Sequence, residues 1–582
     1  MPRTASRATI GATIAASSAF LLATPAAAQS VPGALPSREQ VEVPRVQEQK
    51  PSGGVTVRDD TARATTCPFA DSTLEVSIDR LRYVQPDGSA LPSEALAALA
   101  QIAPESGPHR LAQLCDLRDA AAGALSRAGY VAGVTIPPQE INAGEARLTV
   151  ILARLTDVEV VGQPGPHRRT IEARVAQLKK LPALNTREIE SILLGTNDVP
   201  GLQVTLALRS AGTQPGEVIG TLTVSYTPFL FLANAQNTGS RAIGRESGSL
   251  RAEYYGLTGH ADRTFIGLSS TANFREQHVV QAGHYFSSDS GVSFGGRFSY
   301  AWSRPDVGGL DLRSRSLIGG VDVTVPLRRS VRVSSDIGGG FEFIEQRVQL
   351  NFPGFGGIPV TQDKLRVGYL RYSMRARAPQ FSGPDKWGIG GSIEVRKGFD
   401  IFDATESATI TPAGYAPSRF DGVATATVVR GGLDGFVGAG NLFSVGASAQ
   451  GQWASDPLLS FEEYSVGNLT IGRGYDPGVT AGDKAIAARI EPRLLLPLKG
   501  RIGAQAFGFY DIVHIWNDDP FSTENDRSLR SFGGGLRAWL PGLLSLEASY
   551  AHPQDAELRF PGAPRASDRV LLSLTVQFAP RR

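Results

Sequence analysis

From Val292 to Trp302 the chain alternates between two faces: Val292, Phe294, Phe298, Tyr300 and Trp302 on one, Ser293, Arg297 and Ser299 on the other. A strand turns successive side chains to opposite sides. Such a run therefore presents one greasy and one wet surface over the roughly 9 to 11 residues that carry a tilted strand across a bilayer. The pattern returns at Leu544, Leu546, Ala548 and Tyr550 against Ser545, Glu547 and Ser549, and again at Val570, Leu572, Leu574, Val576 and Phe578 against Ser573, Thr575 and Gln577. Segments of this kind, separated by Gly, Pro, Asp and Ser, run from about Thr227 to Phe578. The expected fold is mainly β: a barrel with lipid outside and water inside.

The first residues show how such a chain reaches a membrane. Arg3 and Arg7 precede an apolar stretch from about Ile10 to Ala23, and Ala26-Ala27-Ala28 stands before Gln29, the form of a removable export signal over residues 1–28. A retained signal anchor is the weaker alternative. No later run of about 18 apolar residues follows, so lipid-facing strands place the chain in a bacterial outer membrane. The 65 glycines and 37 prolines suit many short strands and turns. A net charge of +2 gives no dense basic face, which argues against a nucleic-acid partner. Cys67 and Cys115, the two cysteines, both fall where the chain would face the oxidising periplasm. A disulfide between them is expected to contribute roughly 4 kcal/mol in the chain-entropy model. Two buried thiols are the alternative, and two thiolates without nearby histidines fall short of a zinc shell.

Residues 29–72 are rich in Pro, Gln, Glu and Arg and read as a linker or a possible plug segment, with Ser37 to Gln49 able to form a polar helix broken at Pro44. Two small α+β units follow, at 73–154 and 155–226, and the barrel occupies 227–582. In the first, strand signals at Leu74 to Leu81 precede helices at 92–101 and 110–128 and strands at 130–136 and 147–152. The second repeats that order: a strand at Val158 to Val161, helices at 169–178 and 186–194, and strands at 202–208 and 218–226.

Specific phrases carry a resemblance. Leu111-Ala-Gln-Leu-Cys-Asp-Leu-Arg-Asp, Arg127-Ala-Gly-Tyr-Val-Ala and Gly144-Glu-Ala-Arg-Leu-Thr-Val resemble the first periplasmic POTRA module of the outer-membrane transporters of two-partner secretion. Leu193-Leu-Gly-Thr-Asn-Asp-Val-Pro-Gly-Leu-Gln-Val is similar to their second module. Asn237-Thr-Gly-Ser and Gly256-Leu-Thr-Gly-His-Ala-Asp resemble the start of their barrel, and Gly472-Arg-Gly-Tyr the Val-Arg-Gly-Tyr/Phe signature of the wider superfamily that holds the outer-membrane barrel insertases. The resemblance covers about Cys67 to Phe578. It implies a 16-stranded antiparallel transmembrane barrel behind two POTRA domains. It also implies a loop tucked into the lumen, with Arg473, Gly474 and Tyr475 at its tip and the Arg473 guanidinium latched to Asp511 in Gly508-Phe-Tyr-Asp. Gly472 stands where the family usually has Val. The strand ending at Phe578 resembles the signal read by barrel assembly machinery, although Ala-Pro-Arg-Arg follows it.

Enzyme signatures are weak. Gly291-Val-Ser-Phe-Gly matches a hydrolase elbow on paper, but Ser293 sits inside a membrane strand rather than a strand-to-helix turn. Asn351-Phe-Pro-Gly-Phe-Gly-Gly reads as a hairpin tip, and neither His-Glu-x-x-His nor a Cys or His cluster at metal spacing occurs. No cofactor and no metal are expected. The expected function is capture of an unfolded exoprotein, through its N-terminal secretion domain, by the two modules, followed by passage through the pore. The other partners are outer-membrane lipid and, during biogenesis, the barrel assembly machinery. An insertase for other barrels and a passive porin are the alternatives.

Overall fold

The computed structural model describes residues 35–42, 58–59, 66–105, 107–141, 143–212, 214–352, 354, 356–378, 386–498, 500–518, 525–557 and 566–580. The export signal expected over 1–28 lies outside them. Sixteen antiparallel strands, from Phe229–Gln236 to Arg569–Phe578, close into a barrel. At the seam Phe231 pairs with Phe578 and Gln236 with Ser573. The Asn234 side chain reinforces the closure by donating to Thr575 Oγ1 at 2.9 Å and Ser573 Oγ at 3.2 Å.

The alternation in the sequence has the expected physical meaning. On the Ser293–Ser303 strand Phe298 and Trp302 are 42% and 41% exposed, whereas Ser299 and Ser303 are buried inside. Phe578 is 56% exposed on the last strand. An apolar girdle this extensive is stable only against lipid. Ser293, at the start of its strand, stands on the inner side with Ser299, away from any strand-to-helix turn. The hairpin expected at Asn351 joins Val333–Phe352 to Gly356–Arg377, and these strands, at 20 and 22 residues, exceed what a bilayer requires.

Before the barrel stand two α+β units. In the first, Ser93–Leu99 and Gln113–Arg127 cover a sheet of Arg80–Val84, Glu145–Leu152 and Ala132–Thr135, burying Leu99, Ala121 and Leu125 against Leu148 and Val150. The strand expected across Leu74 to Leu81 is broken. Glu75–Ser77 pairs with Pro108–Arg110, and the amides of Asp79 and Arg80 both donate to Gly144 O before the chain resumes as Arg80–Val84. Because Pro108–Arg110 is committed to that ladder, the following helix starts at Gln113 rather than Arg110. Cys67 and Cys115 are bridged, with Cα atoms 5.7 Å apart.

The second unit runs Arg154–Gly162, Arg168–Lys179, Thr186–Asn197, Leu202–Ser210 and Glu217–Tyr226. The two units interlock. Val131 packs in the second core and Ala183 in the first, and Val131 N donates to Leu184 O at 3.0 Å while Thr186 N donates to Gly129 O at 2.7 Å. Arg58–Asp59 lies parallel to Ala207–Leu208, so a short piece of the leading segment already sits on the outer edge of the second sheet.

Barrel turns on one rim face this unit. Arg174 donates to Asp289 O at 2.8 Å, Arg329 pairs with Asp198 at 2.5 Å, and Ala261 enters the core of the second unit. A Cβ on Gly256 would lie 2.4 Å from Pro166 Cγ, so this turn fits the unit only with glycine there. His167 is buried at the junction, edge-on to Tyr226, and neither ring nitrogen has a hydrogen-bond partner. Burial pulls its pKa below the ordinary 6.5, partly opposed by the Asp262 carboxylate. A depressed folded-state value means that the neutral ring stabilises the junction fully above pH 6.5 and that this contribution is lost as pH falls further. Hydrogen exchange at residues 256–262 should therefore accelerate on acidification from pH 7.5 to 5. A pH-independent rate would contradict this assignment.

Candidate functional site in the barrel lumen

Residues 455–483 leave the wall between strands Phe443–Ala454 and Lys484–Leu496 and fold inward instead of standing above the rim. A short ladder, Tyr464–Val466 with Thr480–Gly482, makes the neck of this loop. Val466, Ile471, Tyr475 and Val479 are buried against Ala485, Ala487, Val513, Ile515 and Leu529 of the inner wall. Each fully buried aliphatic side chain contributes about 1.5–3 kcal/mol, so the loop is attached by its own small core. Gly472 takes φ +126°, a backbone conformation that a residue with a Cβ rarely adopts, which is consistent with glycine here in place of the family's usual valine. Gly474 passes so near the wall that an added Cβ would lie 2.7 Å from Ser531 Cβ.

The four residues picked out by the sequence all meet here, but not in the expected pairing. Asp511 is 0% exposed and accepts the backbone amides of Gly472 at 3.1 Å and Arg473 at 2.9 Å. Its ion pair is with Arg489, whose Nε and Nη2 donate to the two carboxylate oxygens at 2.7 and 2.9 Å. The Arg473 guanidinium instead reaches Glu491 at 2.8 Å, lying over the Phe507 and Phe509 rings. The correction has a simple cause. With both loop amides turned to Asp511, the Arg473 side chain is carried to the neighbouring lumen position, where Arg537 and Arg493 also bind Glu491 at 2.7 and 2.8 Å. Tyr475 completes the tip: its hydroxyl donates to Arg530 O at 2.8 Å, and Arg569 Nη1 donates to its carbonyl at 2.7 Å.

A second inward element is the helix Arg38–Val41, within the stretch read as linker or plug; residues 43–50 of that stretch lie outside the described residues. The Gln40 side chain reaches back to accept from the Ser37 amide at 2.9 Å, closing the first turn. Val41 is buried among Val279, Ile318, Ile344 and Phe461. Its carbonyl, unpaired at a helix end, accepts from Ser299 Oγ at 2.9 Å and Gln281 Nε2 at 3.3 Å. Arg38 bridges Glu342 at 2.8 Å and Glu462 at 3.2 Å. Arg396 spans the same two carboxylates, at 2.7 Å each, and Arg430 holds Glu462 at 2.9 Å. Beside the helix the bore keeps polar cavities of about 510 and 650 Å³.

Sequence reasoning missed Glu491, Arg489, Arg537 and the group around Glu342 and Glu462. One signal was available: on Lys484–Leu496, Arg489, Glu491 and Arg493 alternate with exposed Ile486, Ile490 and Leu494, which marks the charged set as facing the lumen.

No family model matches the chain. A stretch of 184 residues is 30% identical to the outer membrane transporter CdiB of Dickeya dadantii, covering 30% of this chain and 31% of that protein. The chain therefore spans about a third of that relative's length. The heme/hemopexin transporter protein HuxB of Haemophilus influenzae is 21% identical over 456 residues, 73% of this chain and 74% of HuxB. Among solved structures, CdiB from Escherichia coli superposes with a TM-score of 0.67 at 17% identity, covering 91% of this chain and 94% of that one. CdiB from Acinetobacter baumannii gives 0.61 at 15% identity, covering 90% and 94%. BamA from Haemophilus ducreyi lacking POTRA domains 1-3 gives 0.50 at 13% identity, covering 86% and 100%. The structural likenesses establish a shared fold.

Proposed function

We infer that this chain, a two-partner secretion transporter of the outer membrane in the superfamily that includes BamA, captures an unfolded exoprotein in the periplasm and passes it to the cell surface. The observation that carries this reading is a hydrated bore obstructed by two segments, one held wholly and one partly by polar contacts that water or a passing chain can replace. A passive porin needs neither.

Capture is by strand addition. The Leu202–Ser210 edge offers nine residues, and Arg58–Asp59 occupies two of them. An extended exoprotein segment pairing along the full edge makes more backbone hydrogen bonds than the resident pair and displaces it, with modest demands on its side chains. The cargo then threads the lumen once the helix and the loop have moved, and its folding outside the cell biases the passage outward. Lipid covers the apolar girdle, and the Arg569–Phe578 strand is what the barrel assembly machinery reads.

Deleting the gene from its bacterium should remove one dominant large protein from the culture medium. A variant lacking residues 74–226 should fail to restore it while still inserting as a barrel. Unchanged secretion would overturn the reading, and a general loss of other outer-membrane barrels would favour an insertase.

A further inference from the structure

On the outer surface of the barrel, at the rim away from the periplasmic units, Arg315 and Arg347 stand directly opposite each other on neighbouring strands, and both are exposed. The same row continues to Trp302, the register partner of Arg315 and part of an aromatic cluster with Tyr300 and His278. Below this row the outward positions are apolar, including Phe298, Val321 and Phe343. Above it they turn polar, with Arg313 and Gln349. The arginine pair therefore sits where the lipid-facing girdle ends and headgroups begin, a level that aromatic residues mark on membrane barrels.

The local charges do not balance. Arg313 is paired with Asp311 at 2.9 Å, Arg366 with Glu345 at 2.9 Å, and Lys364 with Asp403. Five cations thus meet three carboxylates, each already engaged, and among the described residues no carboxylate lies within ion-pair distance of Arg315 or Arg347. Like charges directly opposed across a ladder destabilise it unless an anion lies between them. Two forked guanidiniums side by side suit a tetrahedral oxyanion, which can accept from both.

We propose that Arg315 and Arg347 form a binding site for a phosphate group of an outer-leaflet glycolipid, whose acyl chains run down the girdle beside Phe298 and Phe343. This rests on the placement of the barrel in the outer membrane but is independent of what the pore carries. Commitment to a lipid rather than a soluble anion follows from the continuity of the site with the apolar girdle: a free phosphate would leave the aromatic row in contact with bare hydrocarbon.

The test uses the full-length protein in detergent with a purified phosphorylated lipopolysaccharide, the same glycolipid after enzymatic dephosphorylation, and inorganic phosphate. Only the phosphorylated glycolipid should raise the thermal unfolding midpoint. The double variant Arg315→Gln/Arg347→Gln should bind it on the order of tenfold to a hundredfold more weakly, the range for losing a charge-assisted contact. Arg347→Glu gives a second, independent readout. It converts the opposed like charges into a cross-strand ion pair, so the apo barrel should become more heat-resistant while its response to glycolipid disappears. An undiminished response in both variants, or an equal response to the dephosphorylated lipid or to inorganic phosphate, would overturn the site. A barrel that needs detergent in every sample keeps this failure separate from a failure of the membrane placement itself.

Discussion

Replacing Asp511 with alanine should detach the inward loop and abolish export, the largest single effect expected in the molecule. The carboxylate accepts two loop amides and an arginine from a fully buried position. Its loss strands the Arg489 charge, a change that typically costs about 3–5 kcal/mol. It also leaves two backbone donors unsatisfied, at about 1–3 kcal/mol each. Together these compete with the loop's small apolar core. The measurement is protease sensitivity of residues 467–479 in the inserted barrel, together with the amount of cargo in the medium. Arg473→Ala should be milder, because Glu491 keeps Arg493 and Arg537. Exchanging Arg473 and Asp511 should not restore function, since their side chains are not partners. A double-mutant cycle should find strong coupling for Arg489 with Asp511 and for Arg473 with Glu491. Rescue by the Arg473/Asp511 exchange, or a docked loop in Asp511→Ala, would contradict this geometry.

Arg38→Glu should open the pore. The substitution puts a third carboxylate against Glu342 and Glu462 and removes the cation that bridges them. An uncompensated buried charge of this kind costs about 3–5 kcal/mol, enough to shift helix occupancy by roughly a hundredfold to a thousandfold. Single-channel recordings in planar bilayers should show a persistent high-conductance state, matched by a variant lacking residues 35–42. Arg38→Lys should fall between, because a single ammonium lacks the fork that engages two acids at once. Conductance unchanged in Arg38→Glu would mean that the helix does not obstruct the bore.

These elements were unequally legible in the sequence. Barrel strands announce themselves because lipid on one side and water on the other enforce a two-residue period, as at Val570 to Phe578. The repeated unit was readable because each copy must bury a helix stripe. The tip residues Arg473, Gly474 and Tyr475 could be found by motif. The acid that receives the arginine could not, because Asp511 and Glu491 occupy adjacent strands and the choice is made by which way the Gly472 and Arg473 amides point. The Arg38–Val41 helix was the least legible. Four residues cannot hold a helix by propensity. What holds it are contacts with residues 240, 304 and 424 positions away, at Gln281, Glu342 and Glu462, and nothing local encodes those.

Glu462 belongs to the inward segment, Glu342 to the wall, and Arg38 fastens to both, so the short helix acts as a rivet through the two parts. While it is in place, pulling the loop from the wall also strains the rivet. Drawing the helix out first leaves the loop attached only by its own grip. Clearance of the bore thus has a preferred order, which starts on the periplasmic side, where the arriving cargo makes first contact.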